Sequence, residues 1–157
     1  MSASEETAGI PIPPPAIPFG VFTAGALVHW VASIRRWPSD GTPWLGWVLI
    51  AMCFILAAAA VAALARAGTP VDPDHPVRAL VVSGPYQYVR NPIYAAFCLL
   101  YLGLAWVLGF WVCLVLFPLV PIGLMRIVIR REETYLGNRF GKEYEDYRSK
   151  VRRWGIL

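Results

Sequence analysis

From Asn91 to Met125 the chain carries no charged residue, with Arg90 and Arg126 closing the stretch at either end. As one straight helix it would run roughly 52 Å at 1.5 Å per residue. The hydrocarbon core of a bilayer is only about 30 Å thick, so a single rod does not fit. The stretch reads as a hairpin of two short helices turning near Leu108-Gly109-Phe110, with Trp106 and Trp111 flanking the turn as interface anchors. Pro118 and Pro121 should kink the second arm. Membrane helices tolerate such kinks where neighbours satisfy the freed carbonyls.

Two further apolar segments precede it. Trp44 to Leu64 is uncharged and Ala-rich in its second half, which permits close helix–helix approach. Phe19 to Ile34 is shorter, near the lower limit for a span, and ends at Arg35-Arg36-Trp37-Pro38. The short loop to Pro43 returns the second helix antiparallel to the first. Residues 1–18 read as a flexible, Pro-rich tail, extended near Pro13-Pro14-Pro15. His29 is either tucked between helices or in contact with substrate. In a chain of 157 residues, 57% hydrophobic and 15% charged, this pattern predicts an all-α membrane protein. It has about four transmembrane helices and a C-terminal interfacial helix. Residues 19–66 form a first transmembrane hairpin, and 67–157 carry the chemistry. Cys53, Cys98 and Cys113 all fall in apolar runs without metal-ligand spacing, so they pack, and neither metal nor disulfide is expected. Glu5 and Glu6, with no Lys or Arg before Arg35, give no cleavable signal pattern.

The polar insert from Arg66 to Asn91 is the most informative region. Thr69-Pro70 and Asp72-Pro73-Asp74-His75-Pro76 exclude a regular helix, because each Pro pushes its predecessor out of the α region. Ala79 to Val82 is a short apolar run, extended against membrane or ligand. Ser83-Gly84-Pro85 signals a turn, and Asn91-Pro92 a helix start. The free N–H groups of such a first turn suit a carboxylate or phosphate. Tyr86, Tyr88 and Tyr94 add aromatic faces with hydroxyl tips, and Arg78 and Arg90 add cationic donors. The insert looks like a small-molecule site at the mouth of a membrane helix.

The C-terminal section is basic. Arg126, Arg130, Arg131, Arg139, Lys142, Arg148, Lys150, Arg152 and Arg153 place it in the cytoplasm by the positive-inside rule. Four spans then put the N-terminus and the insert there too, while Arg35 and Arg36 run against the trend. The basic face suits anionic lipid rather than nucleic acid. Arg130-Arg131-Glu132-Glu133 continues the last span as a helix, with Arg130 and Glu133 on one face. Phe140, Tyr144, Tyr147, Val151 and Trp154 form one stripe of a final helix that lies in the interface or caps the site. Insert and charge cluster thus meet at the two ends of the hairpin. Carboxylates could hold an amino group or ribose hydroxyls, and the helix cap with an arginine could hold a carboxylate. S-adenosylmethionine has both kinds of group, although the residues alone do not force it.

The order LVVSGPYQYVRNPIY, apolar hairpin, RREETYLGNRFGKEYEDYRSKV resembles the isoprenylcysteine carboxyl methyltransferase family and the related phospholipid methyltransferases, over roughly residues 69–154. The resemblance implies an integral membrane enzyme that moves a methyl group from S-adenosylmethionine to a carboxylate or amine of a lipid-like or prenylated substrate among membrane lipids. Its active site would face the cytoplasm, at a bacterial inner membrane. By position it implicates Arg78, Ala79, Leu80, Val81, Tyr86, Asn91, Pro92, Ile93, Tyr94 and Glu132 in cofactor binding. It places Arg130 or Arg131 near the substrate. An amine acceptor would need a proton acceptor, for which Glu133 and Tyr94 are the candidates. Asn91 stands where the eukaryotic enzymes have His; Asn can cap and donate but cannot titrate near neutral pH. Two other readings are an NADPH-dependent sterol-type reductase and a non-catalytic lipid-binding scaffold. The acceptor and the oligomeric state stay open.

Overall fold

A computed structural model describes residues 8–34, 42–71 and 75–155. Residues 1–7 of the tail, Arg35-Arg36-Trp37-Pro38 with most of the loop to Pro43, and Asp72-Pro73-Asp74 lie outside the described residues. Within these the chain is helical, with no strand. α1 spans Ala16–Val31, α2 Pro43–Arg66, α3 Pro92–Leu108, α4 Trp111–Leu116, α5 Leu119–Gly123, α6 Arg130–Phe140 and α7 Lys142–Lys150. A 3-10 turn occupies Gly84–Gln87, and a π-helical stretch, Leu124–Ile129, joins α5 to α6.

Two helices are long and apolar enough to cross a membrane: α2, with mean hydropathy 2.8, and the run Trp111–Phe140, with 2.5. α1 and α3, at 16 and 17 residues, are apolar but fall short of the roughly 20 a span needs. α1 begins three residues before the expected Phe19. Pro13, Pro14 and Pro15 form its entry turn: the Ala16 N–H bonds the Pro13 carbonyl at 2.9 Å and the Phe19 N–H the Pro15 carbonyl at 3.2 Å. Prolines are tolerated there because first-turn N–H groups have no intrahelical partner to lose.

The chain folds as two compact units. One comprises residues 12–55 and 94–124. Here α1 packs on α4 and α5. α2 meets α3 backbone to backbone: a Cβ on Gly46 would lie 2.8 Å from the Gly103 carbonyl oxygen, and one on Gly103 2.8 Å from that of Gly46. The expected turn is present, with α3 ending at Leu108, Gly109 at φ +69° and α4 starting at Trp111. Of the two prolines expected to kink this arm, Pro118 interrupts it, α4 ending at Leu116 and α5 starting at Leu119, while Pro121 lies within α5; a neighbour repairs the interruption. The Phe117 N–H reaches back to Leu114, not Cys113. The vacated Cys113 carbonyl accepts the Tyr101 hydroxyl at 2.8 Å, and Phe22 packs edge-on against the same tyrosine ring. His29 is tucked in, 4% exposed and lying on Phe110 at 4.8 Å. Neither of its ring nitrogens has a hydrogen-bond partner. Large apolar side chains face outward instead, among them Phe19, Trp30, Trp44, Trp47, Phe54, Ile55 and Val115. An apolar surface of that extent calls for a non-aqueous neighbour.

The other unit comprises residues 56–93 and 125–157 with the N-terminal segment 1–11. Its core is Ala63, Leu64 and Val81, with Ala67, Tyr86 and Ile93 packed against it. The polar insert is irregular but pinned. The Thr69 hydroxyl accepts the Ala79 N–H at 3.1 Å and donates to the Ala79 carbonyl at 3.2 Å, and the Val77 N–H donates to the Tyr135 hydroxyl at 3.2 Å. The C-terminal stripe is shorter than the sequence suggests. α7 stops at Lys150, and Val151 is extended at φ −118°, ψ 130°, so Val151 and Trp154 leave the helix. The reason is a better use for the tail, described below.

Gly103→Ala pushes a methyl group into the facing helix at under 3 Å from Ile50 and Gly46. It should destabilise the fold by about 1–3 kcal/mol. Gly20→Ala, which meets nothing within 4 Å, should be neutral or stabilising. Thermal unfolding of both in detergent checks this.

Candidate functional site

The site is built from the turn, the start of α3 and the first turn of α6, all within the second unit. Gly84 takes φ +62°, which favours glycine, and opens the 3-10 turn. Pro85 follows it, and its carbonyl accepts the N–H groups of Tyr88 and Val89, both at 3.1 Å. This geometry drops the Tyr86 ring onto Ala63, Leu64 and Val81. The Tyr147 hydroxyl, from α7, donates to the Tyr86 carbonyl at 2.6 Å. Burial pushes the Tyr86 phenol well above its usual range, and the nearby charge of Glu132 pushes it the same way. The π-helical stretch before α6 inserts an extra residue into a helical turn and so resets the face on which Glu132 and Glu133 emerge.

Asn91 stands directly before α3, as expected, and its amide nitrogen donates to the Arg153 carbonyl at 3.2 Å. Arg90, immediately before it, has its N–H on the Arg152 carbonyl at 2.9 Å. Its side chain is 8% exposed; Nη1 lies 3.3 Å from Glu133 Oε1 and donates to the Tyr144 hydroxyl at 3.2 Å. Glu133 is not turned towards its helix neighbour Arg130. It takes a two-pronged bond from Arg153, Nε to Oε1 and Nη2 to Oε2, both at 2.7 Å. The fork of a guanidinium matches a carboxylate in a way an i,i+3 neighbour does not. That hydrogen bonding raises the Arg153 pKa further, so it stays charged at any working pH. One donor in this cluster has no acceptor: the buried Arg90 Nε.

Of the other residues the sequence nominates, Val81 and Pro92 are buried, and Ala79, Leu80, Ile93 and Glu132 are half-buried. Arg78 and Arg130 are exposed. Arg131 is exposed as well and donates to the Gly9 carbonyl at 3.0 Å. Tyr94 is buried with its ring 6.2 Å from Phe97, in the first unit. Sequence reasoning missed Arg153; it left the stripe with Tyr144 and Tyr147 either in the interface or capping the site, and both bind the site through their hydroxyls. The signal for them was thin: two arginines just beyond an aromatic stripe, followed by Gly155.

The tyrosines give the unit an alkaline limit. Burial pushes the Tyr147 phenol up to about 12, with Arg90 opposing and Tyr144 adding. Burial, then Glu133, raises Tyr144 as well. A phenol held above its unfolded value of about 10 binds its proton more tightly in the folded state. The stabilisation is whole below pH 10 and fades as pH rises towards 12. Unfolding midpoints should therefore fall over that window in the wild type, and Tyr147→Phe should flatten the fall.

The sequence model described as phospholipid methyltransferase matches residues 42–143, more than half of the chain. Among curated proteins, the protein-S-isoprenylcysteine O-methyltransferase of Schizosaccharomyces pombe is 44% identical over 72 residues, 46% of this chain but 30% of that protein. A protein of Haemophilus influenzae, named only as uncharacterised, is 44% identical over 61 residues, 36% of this chain and 92% of its own. The chain thus spans under a third of the yeast protein's length. No solved structure gives a significant match. The family match takes in α2, the turn, α3, the helix run from Trp111 and the glutamate pair, and on that basis the chain belongs to the phospholipid methyltransferase family.

Proposed function

We propose that this protein is an integral membrane methyltransferase that uses S-adenosylmethionine and methylates a carboxylate on a lipid-like or prenylated substrate. The observation that carries the cofactor reading is the orphaned Arg90 Nε beside Asn91. It is a buried, positively charged donor at a helix start, with no acceptor of its own, which is what a carboxylate end requires. Asn91 spends one N–H on Arg153 and keeps a second for the same end. Glu132, whose charge acts on the half-buried Tyr86 phenol, suits the amino group or ribose hydroxyls. Val81, Pro92 and Ile93, with Ala79 and Leu80, supply apolar wall, and Arg78 supplies a charged rim. The residues present therefore fit the two polar ends and the flat body of this cofactor.

Bound there, the cofactor supplies a methyl carbon already electrophilic on a sulfonium, so a carboxylate acceptor yields a neutral ester and a neutral thioether with no proton to move. The residues then need only hold, orient and dry the reactants. Glu133 fits this chemistry by what it does not offer: both its oxygens are taken by Arg153, which leaves it a poor proton acceptor. We assign it a positioning role rather than the proton-accepting one. Arg130, which is exposed, is assigned to an anionic acceptor in this reading. α1 and α3 are read as short spans that complete four crossings with α2 and the run from Trp111. The nine basic residues from Arg126 to Arg153 are read as cytoplasmic, the bilayer being a bacterial inner membrane.

The test is transfer of label from methyl-labelled S-adenosylmethionine into extracted lipids, with NADPH binding measured in parallel. Wild type should transfer, and Glu132→Ala should lose about tenfold or more in kcat/KM while its unfolding midpoint holds. Binding of NADPH without S-adenosylmethionine would favour a reductase. Binding of neither, with no transfer, would leave a scaffold.

A further inference from the structure

We infer that Arg153 is a positioning residue of this site, one that keeps Arg90 available to an anion without touching that anion itself. The inference rests on the cofactor reading above and goes beyond it. After α7 the tail turns back along the start of α3. The carbonyl of Arg152 takes the Arg90 N–H and that of Arg153 takes the Asn91 amide. Gly155, at φ +68°, passes so close to Tyr88 that an added Cβ would lie 3.0 Å from its carbonyl oxygen. The Arg153 side chain then reaches Glu133, and Glu133 reaches Arg90. The result is a closed circuit: Arg90–Asn91, tail, Glu133, Arg90.

The charges in that circuit do not balance, because two guanidiniums share one carboxylate. They share it unequally, with Arg153 on both oxygens at 2.7 Å and Arg90 on one at 3.3 Å. Glu133 is thereby largely spent on Arg153. Arg90 is held in place by Glu133 and the Tyr144 hydroxyl, yet keeps Nε unpaired. Without Arg153, the same carboxylate would be free to leave Nη1 for the Nε–Nη2 edge of Arg90, close a two-pronged bond there and occupy the donor meant for the ligand. The Arg153 side chain is 34% exposed, so shortening it opens no core cavity. Lysine keeps the charge but not the fork, so it should substitute only in part.

The experiment uses the full chain in detergent. Isothermal titration with S-adenosylmethionine gives Kd for wild type, R153M, R153K and the double variant R153M/E133Q. Hydrogen exchange at the Arg90 backbone amide, without ligand, reports on the tail. R153M should bind roughly tenfold more weakly and exchange faster at Arg90, and R153K should fall between it and wild type. Adding E133Q should restore part of the affinity, since no carboxylate then remains to capture Arg90; a merely structural role for Arg153 predicts a further loss. If R153M does not fold, R153K alone decides, by weaker binding or by none of it. A wild type that binds while R153M or R153K binds as tightly overturns this inference and leaves the cofactor reading standing, as does a double variant no better than R153M. A wild type that binds no S-adenosylmethionine overturns both.

Discussion

One carboxylate held between two arginines organises the second unit. Glu133 sits on α6, Arg90 before α3 and Arg153 beyond α7, so three segments remote in sequence converge on a single charge. Glu133 and Arg90 are about nine-tenths buried, and a buried ion costs several kcal/mol to desolvate unless its partners are well placed. The two short, parallel bonds from Arg153 meet that demand for Glu133. Glu133 and the Tyr144 hydroxyl, both on Nη1, meet part of it for the Arg90 guanidinium. Nothing in this arrangement resembles a hydrophobic core, and it does not need to: in an apolar surrounding, the groups that must find partners decide the fold.

The same rule operates at the proline kink of the other unit. Pro118 ends α4, the Phe117 N–H moves to Leu114, and the Cys113 carbonyl is released. Tyr101 supplies the missing donor from α3. A helix that would otherwise carry an unsatisfied carbonyl is thereby tied to its neighbour at one defined register. Gly46 and Gly103 complete the fit by letting α2 and α3 approach without side chains between them. His29 is the exception, a buried imidazole without a polar partner, and the structure gives no physical account of it.

Local signals in the sequence were legible where chain chemistry alone decides the outcome. Gly109 ended α3, Gly84 and Pro85 set the turn, and Asn91-Pro92 marked the start of α3, because each depends on φ, on a missing N–H or on a cap. The start of α1 slipped by three residues, since proline is as much at home in a helix's first turn as in an extended tail. The C-terminal helix was overextended because the 3.6-residue stripe through Tyr144 and Tyr147 continues, by spacing, to Val151 and Trp154. What stopped it was a set of hydrogen bonds to Arg90 and Asn91, about sixty positions away. Spacing put Arg130 on one face with Glu133, but the residue that pairs with it is Arg153, twenty positions on and the better match in geometry. Short-range pattern names candidates for a pair, but long-range geometry chooses among them.

The proposed chemistry also explains why so many tyrosines can surround the site. A phenolate is a good acceptor for a sulfonium methyl group and would compete with the substrate. Tyr86, Tyr144 and Tyr147 are all shifted the other way, burial raising each above its ordinary range. They remain neutral phenols: Tyr147 donates to the Tyr86 carbonyl, and Tyr144 accepts from Arg90 with its proton retained. Asn91 in place of a titratable imidazole has the same effect. A site that transfers a methyl cation to a carboxylate needs no base, and the paired Glu133 and the three neutral phenols here are poor nucleophiles.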